Sequence, residues 1–479
     1  MRRADNLKPM GKLAMTPITD TDYLVVGAGG MGMAFADEIV TQTSASVTIV
    51  DRNHRPGGHW NDAYPFVRLH QASVCYGVNS TPLGQHRIDQ VGWNKGCYEL
   101  ASGSEVVAYF DQVMRQRFLP SGRVKYLPMS EHLGDGRVLS RVNGDEYEIR
   151  AQKIVDAAYI SVTVPSQRPP QFEVAAGVAC AAPNSLPKLV PEYRHFVVIG
   201  SGKTGIDSCL FLLEHGVAPA NITWVMPNDA WLFDRFTVNP GRQFTDIITA
   251  GRGEVLQAAL AANSPDDFFR RVVACGQLLQ FDPSIKPSNW RCATVTPLEL
   301  EQLRRIPNIV RLGHVAAVAS GELQLQKGRY QTTPGALHVD CAADGLKQRP
   351  AKKVFDGNRI TLQTVRMCQQ VYSGAFIGNV AANLQDETRM NELCRPVPLP
   401  HRASDYLRCV LQDSENMLVW LTEPAVVSWI NASRVDLFSP YFDFDNPAVV
   451  AQIQAMGELL NHAIPKLREL LKAATTTAN

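Results

Sequence analysis

What constrains this chain most is a glycine-rich turn, set between an apolar strand and a helix, that occurs twice. From residue 22 the sequence reads DYLVVGAGGMGMAFADEIVTQTSASVTIVD, and from residue 195 it reads HFVVIGSGKTGIDSCLFLLEHG followed by NITWVM. Each copy has the order strand, turn, helix, strand. Gly27, Gly29 and Gly32 in the first copy, and Gly200, Gly202 and Gly205 in the second, hold the G-x-G-x-x-G spacing. In that spacing the first glycine permits a tight turn, the second lets a pyrophosphate approach the backbone, and the third lets helix pack closely on strand. The pyrophosphate then rests on the positive end of the helix. Asp51 ends the second strand of the first copy, 19 residues after Gly32, where an acid binds ribose hydroxyls. The second copy contains Gly-Lys-Thr, but a phosphate loop for ATP needs glycine at 197, and Val197 stands there.

Two such units predict an α/β fold with two Rossmann-like dinucleotide-binding domains. The continuation Arg55-Pro-Gly-Gly-His-Trp60 places a G-G-x-W turn just after the ribose acid. This resembles the FAD domain of flavin-containing and Baeyer–Villiger monooxygenases, and GSGKTGID at 200–207 is similar to their NADPH-binding fingerprint. The resemblance implies FAD held by Gly27, Gly29, Gly30, Gly32, Asp51, Arg52, Gly57, Gly58 and Trp60. It implies NADPH or NADH held by Gly200, Gly202, Lys203, Thr204 and Gly205. Lys203 and Arg235 are candidates for a 2′-phosphate, whereas Asp229 hints at NAD.

The resemblance also implies that the second domain is nested in the first. The expected layout is a loose extension over 1–20, the first part of the FAD domain over 21–158, and the NAD(P)-binding-like domain over 159–340. The FAD domain resumes over 341–445, and a C-terminal helix, kinked or interrupted at Pro465, covers 446–479. Lys153–Tyr159 and Leu337–Gly345 are the expected crossings, both apolar strands ending in small residues. Helical patterns and a Pro-containing loop over 241–306 predict a helical insertion. Residues 359–383 read as one or two strands and a loop, with Gly378 and Asn379 either at a strand end that approaches the flavin, as the resemblance implies, or in a simple turn. Between Ala63 and Asn79, where relatives carry residues facing the flavin ring, Arg68, His70, Gln71 and Asn79 are the catalytic candidates.

The signature Phe-x-Gly-x-x-x-His of these monooxygenases is absent, because Phe172 and Gly177 are out of register and no histidine follows in FEVAAGVACAAPNSLPKL. The leading expectation is an FAD-dependent, NAD(P)H-dependent monooxygenase that oxygenates a small organic substrate with dioxygen through a flavin peroxide. Two rivals stay open: a flavin oxidase or dehydrogenase reduced directly by its substrate, and a non-catalytic binding or escort protein.

Composition narrows the partners. The 47 Lys+Arg nearly balance 46 Asp+Glu, so no overall field draws the chain to nucleic acid or an anionic membrane. No apolar run reaches the length of about 18 residues that a membrane span needs. Ten cysteines, at 75, 97, 180, 209, 275, 292, 341, 368, 394 and 409, form no Cys-x-x-Cys and no zinc spacing. They read as thiols in a reducing, cytoplasmic setting with no metal site, which argues against a disulfide reductase. The C-terminal helix has an apolar stripe suited to capping its own domain or to forming a homodimer.

Overall fold

The computed structural model describes residues 16–17, 20–342 and 349–476. Most of the expected N-terminal extension, and residues 343–345 of the expected return crossing, lie outside the described residues.

The first unit opens with β1 (Thr21–Val26), α1 (Gly30–Gln42), β2 (Val47–Val50), β3 (Val124–Leu127) and β4 (Ala151–Asp156). The chain then leaves it for a second sheet, built from β5 (Cys180–Ala181), β6 (Phe196–Ile199), α2 (Lys203–Glu214) and β7 (Ile222–Val225). An excursion follows through β8 (Ala230–Asp234), α3 (Thr245–Ala261), α4 (Pro265–Ala274) and β9 (Asn289–Val295). β10 (Asn308–Val310) and β11 (Leu337–Asp340) complete the second sheet, and β12 (Phe355–Asp356) and β13 (Arg359–Thr361) return to the first. Three long helices end the fold: α5 (Gln370–Asn383), α6 (Asp405–Trp420) and α7 (Pro447–Thr476).

The first sheet has the order β12-β13-β4-β1-β2-β3 and the second β5-β11-β6-β7-β10. Their ladders are parallel, apart from the β12–β13 hairpin. Strands in such sheets are covered on both faces and so read as continuous apolar runs; VTIV in β2 and FVVI in β6 are buried throughout. The fold is thus α/β with two Rossmann-like sheets, and every strand of the second lies in sequence between β4 and β12 of the first. The two crossings are built alike. β4 and β11 each end in an aspartate whose carboxylate accepts the N–H two residues on, Asp156 from Ala158 and Asp340 from Ala342, both at 3.0 Å.

Two expectations need correction. Residues 289–295, expected within a helical insertion, form β9, which pairs in parallel with β8. Residues 370–383, expected as strand and loop, form α5, buried along Val371–Ala381. Gly378 and Asn379 therefore lie mid-helix. Gly374 and Gly378, one turn apart, form the small-residue stripe on which α1 rests: a Cβ at Gly374 would stand 2.5 Å from the Met31 carbonyl oxygen, and one at Gly378 2.9 Å from that of Phe35. An apolar run with glycines was read as strand, whereas the glycines serve a close helix crossing. The C-terminal helix α7 runs unbroken through Pro465, and its Leu460, Ala463, Ile464, Leu467 and Leu470 share a core with α3, α4 and α6.

At the α1–α5 crossing Glu38 is 2% exposed. Its carboxylate accepts from Trp429 Nε1 at 3.1 Å and from the Gln42 amide. Burial, helped by the charge of Asp37, raises its pKa from 4.5 to about 7. The folded chain thus keeps a proton that the unfolded chain releases, so this contribution to stability is complete below pH 4.5 and is lost as pH rises through about 7. Urea midpoints should fall across that window, and Glu38→Gln should flatten the fall. An unchanged slope in the variant would assign the effect to other groups.

Candidate functional site

The first glycine turn joins β1 to α1. Gly27 has φ +111°, which an L side chain rarely adopts, and a Cβ on Gly32 would collide with the Gly27 carbonyl oxygen. Gly29 caps α1 with no side-chain hydrogen bond, and no acidic residue occupies the first helical turn. The leading N–H groups of the helix are therefore left for an anion. At the end of β2, Asp51 accepts from Ala28 N at 2.6 Å and from Asn53 N at 2.7 Å, so one carboxylate ties the turn to the strand end. It is 5% exposed, and burial raises its pKa against the pull of those two N–H groups. Gly57 N donates to the Ala28 carbonyl at 2.9 Å, which folds the Gly57-Gly58 turn over the first; a Cβ on Gly29 would lie 3.6 Å from Gly58 Cα. Trp60 Nε1 donates to the Tyr76 hydroxyl at 2.7 Å.

The second turn repeats this geometry between β6 and α2. Gly200 has φ +124°, a Cβ on Gly205 would collide with the Gly200 carbonyl oxygen, and Trp224 Nε1 donates to that same oxygen at 2.9 Å. Gly202 caps α2 without a side-chain bond and has open space where a Cβ would be. Lys203, however, pairs with Asp207, which also accepts from the Tyr64 hydroxyl at 2.7 Å. This contact links the second turn to the first unit.

Both turns open on one cavity of about 1340 Å³. That exceeds the roughly 300–1,000 Å³ typical of a small-ligand pocket. Gly27, Gly29, Gly30, Asp51, Arg52, Gly58 and Trp60 line it from the first unit, and Gly200, Gly202, Lys203 and Thr204 from the second. Arg68, His70 and Gln71 also reach it. His70 Nδ1 accepts from Thr294 N at 3.2 Å, which leaves the ring proton on Nε2. Burial, together with the charges of Lys203 and Arg235, holds its pKa well below the usual histidine value, so the ring is a neutral donor.

Four expected site residues lie elsewhere. Arg235 is 3% exposed and pairs with Glu299 at 2.9 Å while donating to the carbonyls of His70 and Thr294 and to Asn94 Oδ1. No donor of that buried fork is turned to a phosphate. Asn79 accepts from the Ser433 hydroxyl, away from the cavity lining. Gly378 and Asn379 sit within the α1–α5 crossing described above. Asp229, read as a hint of NAD, is engaged bidentately by Arg311 at 2.9 and 3.1 Å.

Other lining residues were not found from sequence. Arg252, from α3, pairs with Asp413 of α6 at 2.9 Å. Arg366 pairs with Asp436 and lies over the rings of Tyr372 and Phe438 at 4.6 and 5.1 Å. Their partners stand 161 and 70 residues away, so no local pattern announces them. Cys292 and Cys368 also line the cavity and are joined as a disulfide, which corrects the reading of all ten cysteines as thiols. Because the Arg366–Asp436 pair is buried, Asp436→Ala should cost about 3–5 kcal/mol in urea unfolding by stranding the guanidinium. A loss within about 0.5 kcal/mol would contradict the pairing.

Among known proteins, residues 25–80 match the NAD(P)-binding Rossmann-like domain. Looser likenesses in fold include a flavin-containing monooxygenase from Stenotrophomonas maltophilia, at 16% identity and a TM-score of 0.40 over 72% of this chain and 85% of that one. A steroid monooxygenase bound to NADP is similar at 13% identity and a TM-score of 0.45, over 93% and 98%. Uncharacterized protein Rv2000 of Mycobacterium tuberculosis and uncharacterized protein Mb2023 of Mycobacterium bovis are each 49% identical over 462 residues, 96% of this chain and 86% of theirs. By that extent of identity, the chain belongs to the family of these uncharacterized mycobacterial proteins.

Proposed function

We propose that the protein is an FAD-dependent oxidoreductase in which a nicotinamide nucleotide reduces the flavin and a small organic substrate is oxygenated with dioxygen. One observation carries this reading: two glycine turns of matching geometry, each ending in an uncapped helix, face a single cavity large enough for more than one ligand. The residues of the first turn fit FAD. The N-terminus of α1 would hold the pyrophosphate, Asp51 the adenosine ribose, and the Gly57-Gly58 turn, which lacks side chains, would let the cofactor pass close to the backbone. When bound, FAD would supply the two-electron chemistry and the reaction with oxygen, which no side chain can provide.

The chain's own residues orient, donate protons and exclude water. The N-terminus of α2 and the open Gly202 would receive the second nucleotide. His70, neutral and protonated on Nε2, would donate a hydrogen bond to an oxygen that gains charge in the cavity. Since Arg235 is buried and Lys203 is paired with Asp207, neither side chain waits for a 2′-phosphate, and NADH should serve about as well as NADPH. The same observation favours a second reading, in which substrate itself reduces FAD and the second turn binds no nicotinamide.

Anaerobic mixing with NADH or NADPH, followed near about 450 nm, separates these readings. Bleaching that reverses with air, with the two nucleotides equal within about tenfold, is the expected result. A yellow protein that ignores both would leave the substrate-reduced oxidase, and a colourless one that takes up no flavin would favour a binding or escort role. Because His70 is held neutral, the pH profile of flavin reduction should show no inflection near about 6.5 from this group. His70→Asn should lower the rate without changing the profile's shape, and loss of an inflection in the variant would contradict the assignment.

A further inference from the structure

Of the ten cysteines, eight are free thiols, six of them buried. The other two, Cys292 and Cys368, are bonded across 76 residues with Cα atoms 6.3 Å apart. Both are half-buried, on the border between the α3–α4–α6–α7 core and the cavity. A chain that relied on disulfides to hold its fold would not leave eight thiols in it and place its one described bond in the wall of the cavity that both glycine turns face.

The backbone points the same way. Among the described residues only five other than glycine have positive φ, and two of these are Cys292 at +59° and Cys368 at +58°. Cysteine has no side-chain device for tolerating that region, and such conformations gather where a side chain must be aimed for a purpose. Cys292 lies where the β8–β9 register slips, between the pairs Trp231–Trp290 and Phe233–Thr294. A bulge of this kind re-aims a side chain. Two residues further on, Thr294 N donates to His70, so the same strand carries the cysteine and positions the histidine. Cys368 stands just ahead of the N-terminus of α5. The flanking chain is already fixed without the disulfide: Met367 N donates to Asp413 Oδ1 at 3.0 Å, and Arg366 pairs with Asp436.

We infer that Cys292 and Cys368 are a redox-active pair that cycles between disulfide and dithiol by exchange with a small thiol or disulfide entering the cavity. With a dithiol as reductant, one of its thiolates attacks Cys292 Sγ, the protein S–S bond breaks, and Cys368 leaves as a thiolate. The N-terminus of α5 makes Cys368 the better leaving group. The second thiol of the reagent loses its proton and attacks the mixed disulfide, releasing Cys292. Two electrons and two protons pass from the reagent to the protein pair, and the reagent departs as a cyclic disulfide. Run in reverse, the protein dithiol reduces a small disulfide. The exchange needs no bound dinucleotide and so stands apart from the function proposed above.

The test equilibrates the folded full-length protein with graded ratios of reduced and oxidised dithiothreitol. Alkylation of the folded protein at neutral pH by excess reagent, followed by peptide mass spectrometry, then reads each cysteine. Cys292 and Cys368 should become alkylated together, in one two-electron transition, and should close again when oxidised dithiothreitol is restored. The six buried cysteines should stay unlabelled until the chain is unfolded. In Cys292→Ser the remaining Cys368 should alkylate at least about threefold faster at neutral pH than Cys292 does in Cys368→Ser. If either variant fails to fold, the wild-type titration decides alone. A pair that opens only with denaturant would be a fixed cross-link, and a pair that never closes in the folded protein would be two ordinary thiols. Either result overturns the proposal.

Discussion

Each half of this molecule depends on the contact of a glycine in its first helix with the carbonyl oxygen of the turn before it. Gly32 meets Gly27 and Gly205 meets Gly200 so closely that neither position has room for a methyl group. That approach presses α1 against β1 and α2 against β6, and it sets both helix N-termini at the carboxyl ends of their strands. A helix end in that place has N–H groups with no internal partner, and here no side chain caps them. The two uncapped helix ends that face the cavity follow from repeating one local geometry.

The parts of the fold legible in the sequence are those whose constraint is local. The two turns, Asp51 at the end of β2 and the apolar runs of the parallel strands carry their physical reason within a few residues, and sequence reading found them. The Gly-rich run of α5 was misread because glycine in an apolar segment has two physical causes, a turn or a close helix crossing. Only the partner helix α1 decides between them. Arg235 was misjudged for a related reason. A lone cation after a strand reads as a phosphate ligand until Glu299 and two carbonyls, brought by distant segments, are seen to occupy it.

The cavity's far wall was invisible from sequence. Arg252 and Arg366 keep their charges near it because Asp413 and Asp436 answer them, and those acids come from α6 and the loop before α7. The cysteines show the same limit. Ten single cysteines with no short spacing look like isolated thiols, yet β9 and the segment leading into α5 bring two of them together across 76 residues. Spacing in sequence identifies a pair only when one turn or one helix holds both members.

The central claim is that the first turn, with Asp51, holds the adenosine and pyrophosphate of FAD. The most direct measurement is a crystal structure of the protein grown with FAD. The account predicts pyrophosphate density over the Gly27–Gly32 turn at the N-terminus of α1, with ribose hydroxyls at Asp51 and the flavin ring extending into the cavity toward His70. Density for FAD at the Gly200–Gly205 turn instead, or a first turn that stays empty at saturating FAD, would contradict it.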